Sequence, residues 1–132
     1  QGRIETGYQR LCQPICDFLI ELGGDASVGE IDGAFCDGRY NVNLNGRKMV
    51  GTAQRWRQSG GRPVGLIHGA LLLDNDREEL IGAVNRFNQA CGLEQRVRAE
   101  SHIALHEAFP APDAISRLDT LYRQMLASFL PV

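Results

Sequence analysis

An α+β fold is predicted, with helices packed on a mixed, largely antiparallel sheet. Three observations predict it. Residues 40–44, YNVNL, alternate side-chain character and run into Asn45-Gly46, a strong two-residue hairpin signal. Leu11, Ile15, Phe18, Leu19 and Leu22 recur at three- and four-residue steps near the start, and Ile115, Leu118, Tyr122, Met125 and Phe129 do so near the end. Between these stripes come strand-like and helix-like patterns in the mixed order that sets helices against a sheet.

Residues 7–22, GYQRLCQPICDFLIEL, read as the first helix. Pro14 lies inside it, and a ring that clashes with the preceding turn predicts a kink or a late start. Gly23-Gly24 suits its end. A turn centred on Asn45-Gly46 then sets Asn43 opposite Lys48 and Asn41 opposite Val50, with RKMVG as the returning strand. Tyr40, Val42, Leu44 and Met49 would share a core face, and Asn41, Asn43 and Lys48 a polar face turned outward.

SGGRP at 59–63 reads as a loop. VGLIHGALLL at 64–73 reads as a buried strand interrupted at His68-Gly69. Asp76 followed by Glu79 has the spacing of a capping box, with Asp in the Ser/Thr place. Leu80, Val84, Phe87 and Cys91 continue as a helical stripe that Gly92 stops. Residues 97–106, VRAESHIALH, are ambiguous, with HIAL as the strand option. Pro110 and Pro112 bracket a turn, and the last helix starts at about Asp113. No repeat, low-complexity run or linker divides residues 1–132.

The chain has 132 residues, 43% hydrophobic and 23% charged, so it can bury a core. A net charge of −2 argues against a nucleic-acid surface, and the run Arg47, Lys48, Arg55, Arg57, Arg62 reads as a solvated face. No apolar run approaches the roughly 18 residues of a membrane span, and no secretory segment opens the chain. Four cysteines are too few for a disulfide scaffold, which points to reduced thiols and a cytoplasmic location. Gln1 is not a translation start, so a removed leader or a longer parent protein is expected.

Cys36 lies in FCDG beside a turn-prone Asp37-Gly38. A thiol at a strand–turn junction can reach a carbonyl, and Arg39 and Lys48 are cations that favour its thiolate. The alternative is a small buried hydrophobe. Lys48 supplies a point charge for a phosphate or an oxyanion, or is a plain surface lysine. Gly51-Thr52-Ala53-Gln54 is small enough in part for backbone N–H groups to approach a ligand. His68 is either a buried neutral histidine bonded to the backbone or a general base, and Gly69 marks a close approach or a bulge.

Cys12 with Cys16 and His102 with His106 have the look of a zinc set. The cysteines adjoin the apolar stripe and read as packing, and histidines four apart on a strand stand roughly 13 Å apart at about 3.3 Å per residue. No metal site is therefore expected. GxxxxGK[ST], GxGxxG and GxSxG are all absent.

The block CDGRYNVNLNGRKMVGTAQRW, then IHGALLL and DND, resembles the lipoate–protein ligase and octanoyltransferase family over roughly residues 33–92. Turn, lysine, small-residue run and His-Gly recur there in the family's order. The resemblance implies a biotin/lipoate protein ligase-like fold and attachment of lipoate or octanoate to a lysine of a lipoyl carrier domain. That carrier would belong to a 2-oxoacid dehydrogenase or to the glycine cleavage protein, with acyl carrier protein as a further partner. It also implies that Lys48 contacts the acyl carbonyl or an acyl-adenylate phosphate, and that Cys36 accepts the acyl group as a thioester. Gly51, Thr52, Ala53 and Gln54 would line the acyl or adenylate side, with His68 and Gly69 on a neighbouring strand. The family's upstream arginine- and glycine-rich loop is not found in this chain. With Gln1, that leads to the expectation of a C-terminal portion with an incomplete sheet, whose open edge would allow self-association.

Three functions follow. In the first, Cys36 transfers the acyl group through a thioester, and no cofactor is bound covalently. In the second, an ATP- and Mg-dependent ligase holds an acyl-AMP on Lys48. In the third, the chain is a non-catalytic module or accessory subunit that docks a carrier domain.

Overall fold

The computed structural model describes residues 2–129, so Gln1 lies outside the described residues. The order is α1 (Gly2–Glu21), β1 (Ala26–Val28), β2 (Val42–Leu44), β3 (Arg47–Ser59), β4 (Arg62–Leu71), α2 (Arg77–Ala90), a 3₁₀ turn (Ala99–Ser101), α3 (Leu105–Ala108) and α4 (Ala114–Ala127). The four strands form one sheet in the order β1-β2-β3-β4, every neighbour antiparallel. The fold is α+β as predicted, with the sheet wholly antiparallel; an isolated parallel bridge joins Lys48 to His102 outside it. Among the described residues no helix is long and apolar enough to cross a membrane.

α1 lies across all four strands and also touches α4. It buries Cys12, Ile15, Cys16, Phe18 and Leu19 against Val42, Leu44, Met49, Val50, Ile103 and Leu105. The helix runs through Pro14 from Gly2, so the late start expected at that proline does not occur; Pro14 itself is buried. Gly7 sets the closeness of the helix to the sheet. A Cβ there would stand 2.7 Å from Gln54 Oε1 and 2.9 Å from Ile67 Cδ1. Phe18 and Leu19 are fully buried. Leu19→Ala is expected to cost about 2–5 kcal/mol, because the lost transfer energy adds to that of the cavity left behind. Urea unfolding should show a lower midpoint with an unchanged slope.

The Asn45-Gly46 turn forms as predicted. Both residues have positive φ, 51° and 75°, the signature of type I′. Asn43 pairs with Lys48, but the next pair is Val42 with Val50 and not Asn41 with Val50. Met49 is thus the extra residue of a β-bulge, which reverses the alternation beyond it. The polar face is not turned to water either, since Asn41, Asn43 and Lys48 are all buried. A loop packed over that face covers it.

SGGRP is a hairpin and not a loop. Only Gly60 and Gly61 turn, both at positive φ, and Ser59 pairs with Arg62. β4 runs unbroken through His68-Gly69 and is exposed along most of its length, against the buried, interrupted strand expected. It is the last strand in the sheet and pairs with β3 alone; α1 covers only the face that carries Ile67 and Gly69, and Val64 and Leu66 on the other face stay exposed. Pro63, which has no N–H to give, sits near the start of this edge strand, where such a residue is tolerated.

Asp76 caps α2 by accepting from the Glu79 N–H at 3.2 Å. The helix buries Ile81, while Phe87 and Cys91 of the expected stripe are exposed. The reason is its partner: Ile81 and Val84 pack on Phe35, Val97 and Ala99 and not on the sheet. In α4 the packed residues are Ala114, Leu118, Leu121 and Tyr122, and Ile115 and Phe129 face outward. Residues 97–106 resolve as a 3₁₀ turn, one bridge and the start of α3, so His102 and His106 do not share a strand.

Candidate active site

The loop between β1 and β2 carries Cys36 and folds back over the Lys48 face. Its ends are tied by Gly29 N–H to Asn41 O at 3.1 Å and by Asn43 Nδ2 to Gly29 O at 3.0 Å. Asp37 braces it inside. One carboxylate oxygen accepts from Ile31 N–H at 2.9 Å and from Asn41 Nδ2 at 2.5 Å. Cys36 is exposed and has φ 45°, in the left-handed region that a side chain other than Asn, Asp or Gly enters at a cost of about 1–3 kcal/mol. Such strain persists only where the surroundings enforce it.

Lys48 is the enforcing group. The residue is 2% exposed, and its ammonium donates to Phe35 O at 2.6 Å and to Cys36 O at 3.0 Å. It also sits 4.8 Å from the Phe35 ring centroid. An ammonium has three donors, so one N–H remains beyond these two carbonyls. Burial lowers the Lys48 pKa, and the facing Cys36 and Asp37 pull it back up. Arg39, the other cation considered for Cys36, lies over the Tyr40 ring at 5.6 Å.

The bulge at Met49 sorts the remaining residues by face. A Cβ on Gly51 would be 3.4 Å from Lys48 Nζ, so Gly51 lies on the lysine's side of the sheet. Alternation adds Ala53, and the pairing of Ala53 with His68 and Gly51 with Ala70 brings in β4. His68 is exposed there, in place of the buried histidine expected. Thr52, Gln54 and Gly69 belong to the opposite face. Thr52 Oγ1 donates to Tyr40 O at 2.8 Å. Gln54 Nε2 donates to Ile4 O at 2.5 Å, and Gln54 Oε1 accepts from Trp56 Nε1 at 2.9 Å. A Cβ on Gly69 would meet Val50 and Leu11 at 3.2 and 3.6 Å, so its smallness serves the contact with α1. Cys36, Lys48 and Gly51 are therefore brought together, Ala53 and His68 lie farther along the same face of the sheet, and the other three lie on the opposite face.

The model of the lipoyl protein ligase A/B catalytic domain matches residues 1–112. The chain belongs to that family. It is 36% identical over 109 residues to an octanoyl-[GcvH]:protein N-octanoyltransferase of Kyrpidia tusciae, covering 78% of this chain and 38% of the relative. An uncharacterized protein of Cupriavidus necator is 32% identical over 122 residues, covering 83% and 48%. A lipoyl-[GcvH]:protein N-lipoyltransferase of Listeria monocytogenes is 32% identical over 81 residues, covering 59% and 28%. The chain thus spans less than half the length of these relatives.

Within this lipoyl ligase A/B chain the other thiols are poor nucleophiles or lie elsewhere. Burial pushes Cys12 up to about 11 and raises Cys16, while Cys91 is exposed beyond the end of α2. Among the described residues no three His, Cys, Asp or Glu side chains gather as a metal set. Two participants escaped the sequence reading. Asn43 Oδ1, buried opposite Lys48, has no hydrogen-bond partner among the described residues. His102, fully buried, bonds the backbone of the Cys36 loop. The hairpin pairing pointed to Asn43, but His102 stood in the ambiguous stretch 97–106.

Proposed function

We propose that the chain transfers a lipoyl or octanoyl group to a lysine of a lipoyl carrier domain, through a thioester on Cys36. The observation that carries this reading is the Lys48 ammonium bound to the carbonyls of Phe35 and Cys36 while the thiol stays exposed. The relatives' names support it, because they describe octanoyl and lipoyl transfer from GcvH to protein.

The thiolate of Cys36 attacks the carbonyl carbon of the acyl donor, forming a C–S bond. The negative charge that develops on the oxygen meets the third N–H of Lys48, the kind of pre-aimed donor that lowers such a barrier most. The donor's amine leaves with a proton, which completes the thioester. The neutral amine of an acceptor lysine then attacks the same carbon. A C–N bond forms, the C–S bond breaks, a proton is released and the thiolate returns. Gly51, Ala53, Ala70 and His68 offer a low floor beside the ammonium on which the acyl chain can lie. In this reading the donor and acceptor are lysines of carrier proteins such as the glycine cleavage protein, and lipoate or octanoate enters as substrate.

The test is intact mass after incubation with an octanoylated carrier. A hydroxylamine-labile octanoyl adduct on Cys36, passed on to a second carrier, is the expected result. Release of pyrophosphate that depends on ATP and free lipoate, with no adduct, would instead favour the ligase chemistry with Lys48 on the adenylate phosphate. Saturable carrier binding with neither adduct nor pyrophosphate would leave a docking module.

A further inference from the structure

The stretch 98–102 clamps the Cys36 loop at three successive places. Arg98 N–H donates to Gly33 O at 2.8 Å, Ser101 Oγ to Asp32 O at 2.7 Å, and Arg98 reaches Asp32 O and Oδ2 at 3.1 and 3.2 Å. The fit is tight. Gly33 has φ 81°, and a Cβ on it would stand 2.6 Å from Arg98 Cζ and 2.7 Å from Ser101 Oγ. The third place is Phe35, whose N–H donates to His102 Nε2 at 3.1 Å.

His102 has no solvent exposure, and both ring nitrogens are engaged. Nε2 faces an N–H and must accept. The proton therefore sits on Nδ1, which donates to Arg98 O at 2.8 Å. The imidazole also stacks on the Phe35 ring at 5.1 Å between centroids. Its backbone bridges to Lys48, and Ile103 N–H donates to Lys48 O at 2.9 Å. Phe35 is thus held at its N–H by His102 and at its C=O by Lys48. The residue after it is Cys36.

We propose that His102 is a positioning residue: its neutral imidazole fixes the Phe35–Cys36 backbone over Lys48, and its protonation releases that backbone. The proposal rests on the reading of Cys36 as nucleophile. A proton on Nε2 would replace the acceptor by a donor facing another donor, so the bond to Phe35 is lost outright. The charged surroundings resist that proton. Lys48 and Arg47 face the ring from β3 and Arg77 from α2, where Arg77 pairs with Glu107; Arg98, Asp32 and Glu100 lie in the clamp, and Cys36 and Asp37 in the loop. Burial lowers His102 below its ordinary 6.5, the Arg98 carbonyl pulls it up, and the three cations lower it further. With the folded value depressed below 6.5, the loop's order is fully present above about pH 6.5, weakens as pH falls below it, and is lost as pH falls through the lowered folded value.

The test uses the chain with Cys91→Ser, which leaves Cys36 as its exposed thiol. Two readouts are followed between pH 5 and 8: hydrogen exchange of the Phe35 amide, corrected for its intrinsic rate, and alkylation of Cys36 by iodoacetamide. Phe35 protection is expected to fall about tenfold or more in His102→Leu, which has no acceptor, in line with roughly one lost hydrogen bond. His102→Gln keeps an acceptor, so it should recover most of that protection and abolish the pH step. In the unmodified ring, protection and alkylation should change together with the His102 titration seen by NMR. Should His102→Leu fail to fold, that acid titration carries the test alone. The proposal is overturned if neither readout follows the His102 titration, or if His102→Gln behaves as His102→Leu does. No readout needs acyl transfer, so an active Cys36→Ala would sink the nucleophile and leave the Phe35 result standing.

Discussion

Replacing Cys36 by Ala is expected to abolish acyl transfer, by on the order of 10⁴-fold or more, and to remove the octanoyl adduct from the mass spectrum. The fold should not notice. Cys36 is exposed, and Ala keeps the Cβ, so the strain at φ 45° is the same in both proteins. Stability should stay within about 0.5 kcal/mol. Loss of transfer with an unchanged urea midpoint therefore isolates the thiol. Cys36→Gly would relax the left-handed backbone and should be more stable, yet equally inactive. Transfer at the wild-type rate by Cys36→Ala would reject the thioester route.

Lys48→Met carries the second large effect. Methionine keeps much of the apolar stem and deletes the ammonium, so the carbonyls of Phe35 and Cys36 lose their shared donor. Each such charged hydrogen bond is worth about 1.5–3 kcal/mol, while the buried ammonium exacts a desolvation cost that lowers its pKa. The two oppose each other, so stability should fall by only about 1–3 kcal/mol. Catalysis has no such offset. Loss of an oxyanion donor is expected to slow thioester formation by roughly 10²–10³-fold, read as adduct mass against time. Lys48→Arg should fail nearly as badly, because a planar fork cannot reproduce three tetrahedral donors in the same space. A Lys48→Met protein that forms the thioester at the normal rate would remove the lysine from the mechanism.

The residues that announce this architecture are those whose chemistry is local. Asn45-Gly46 specified its turn and with it the pairing of Asn43 with Lys48. Asp76 specified the start of α2. What escaped was decided by contacts distant in sequence. The bulge at Met49 has no signal of its own, and without it Lys48 and Gly51 are assigned to opposite faces. β4 is rich in apolar residues and reads as buried, yet periodicity cannot say whether a covering layer exists. His102 lies in a stretch whose pattern leaves its element ambiguous, and only the fold reveals that its ring reaches back to Phe35. For the same reason Thr52, Gln54 and Gly69 read as one run with Gly51 and Ala53, though strand alternation divides them between two faces.

The hydrogen bond from Phe35 to His102 joins positions 67 residues apart. At about 5–20 residues per second of synthesis, Cys36 leaves the ribosome roughly 3–13 s before His102. Throughout that interval the nascent loop has no clamp. Assembly of this centre therefore waits for residues 98–102, and the moment at which the growing polypeptide shields its Phe35 amide marks the docking of that distant stretch onto the loop.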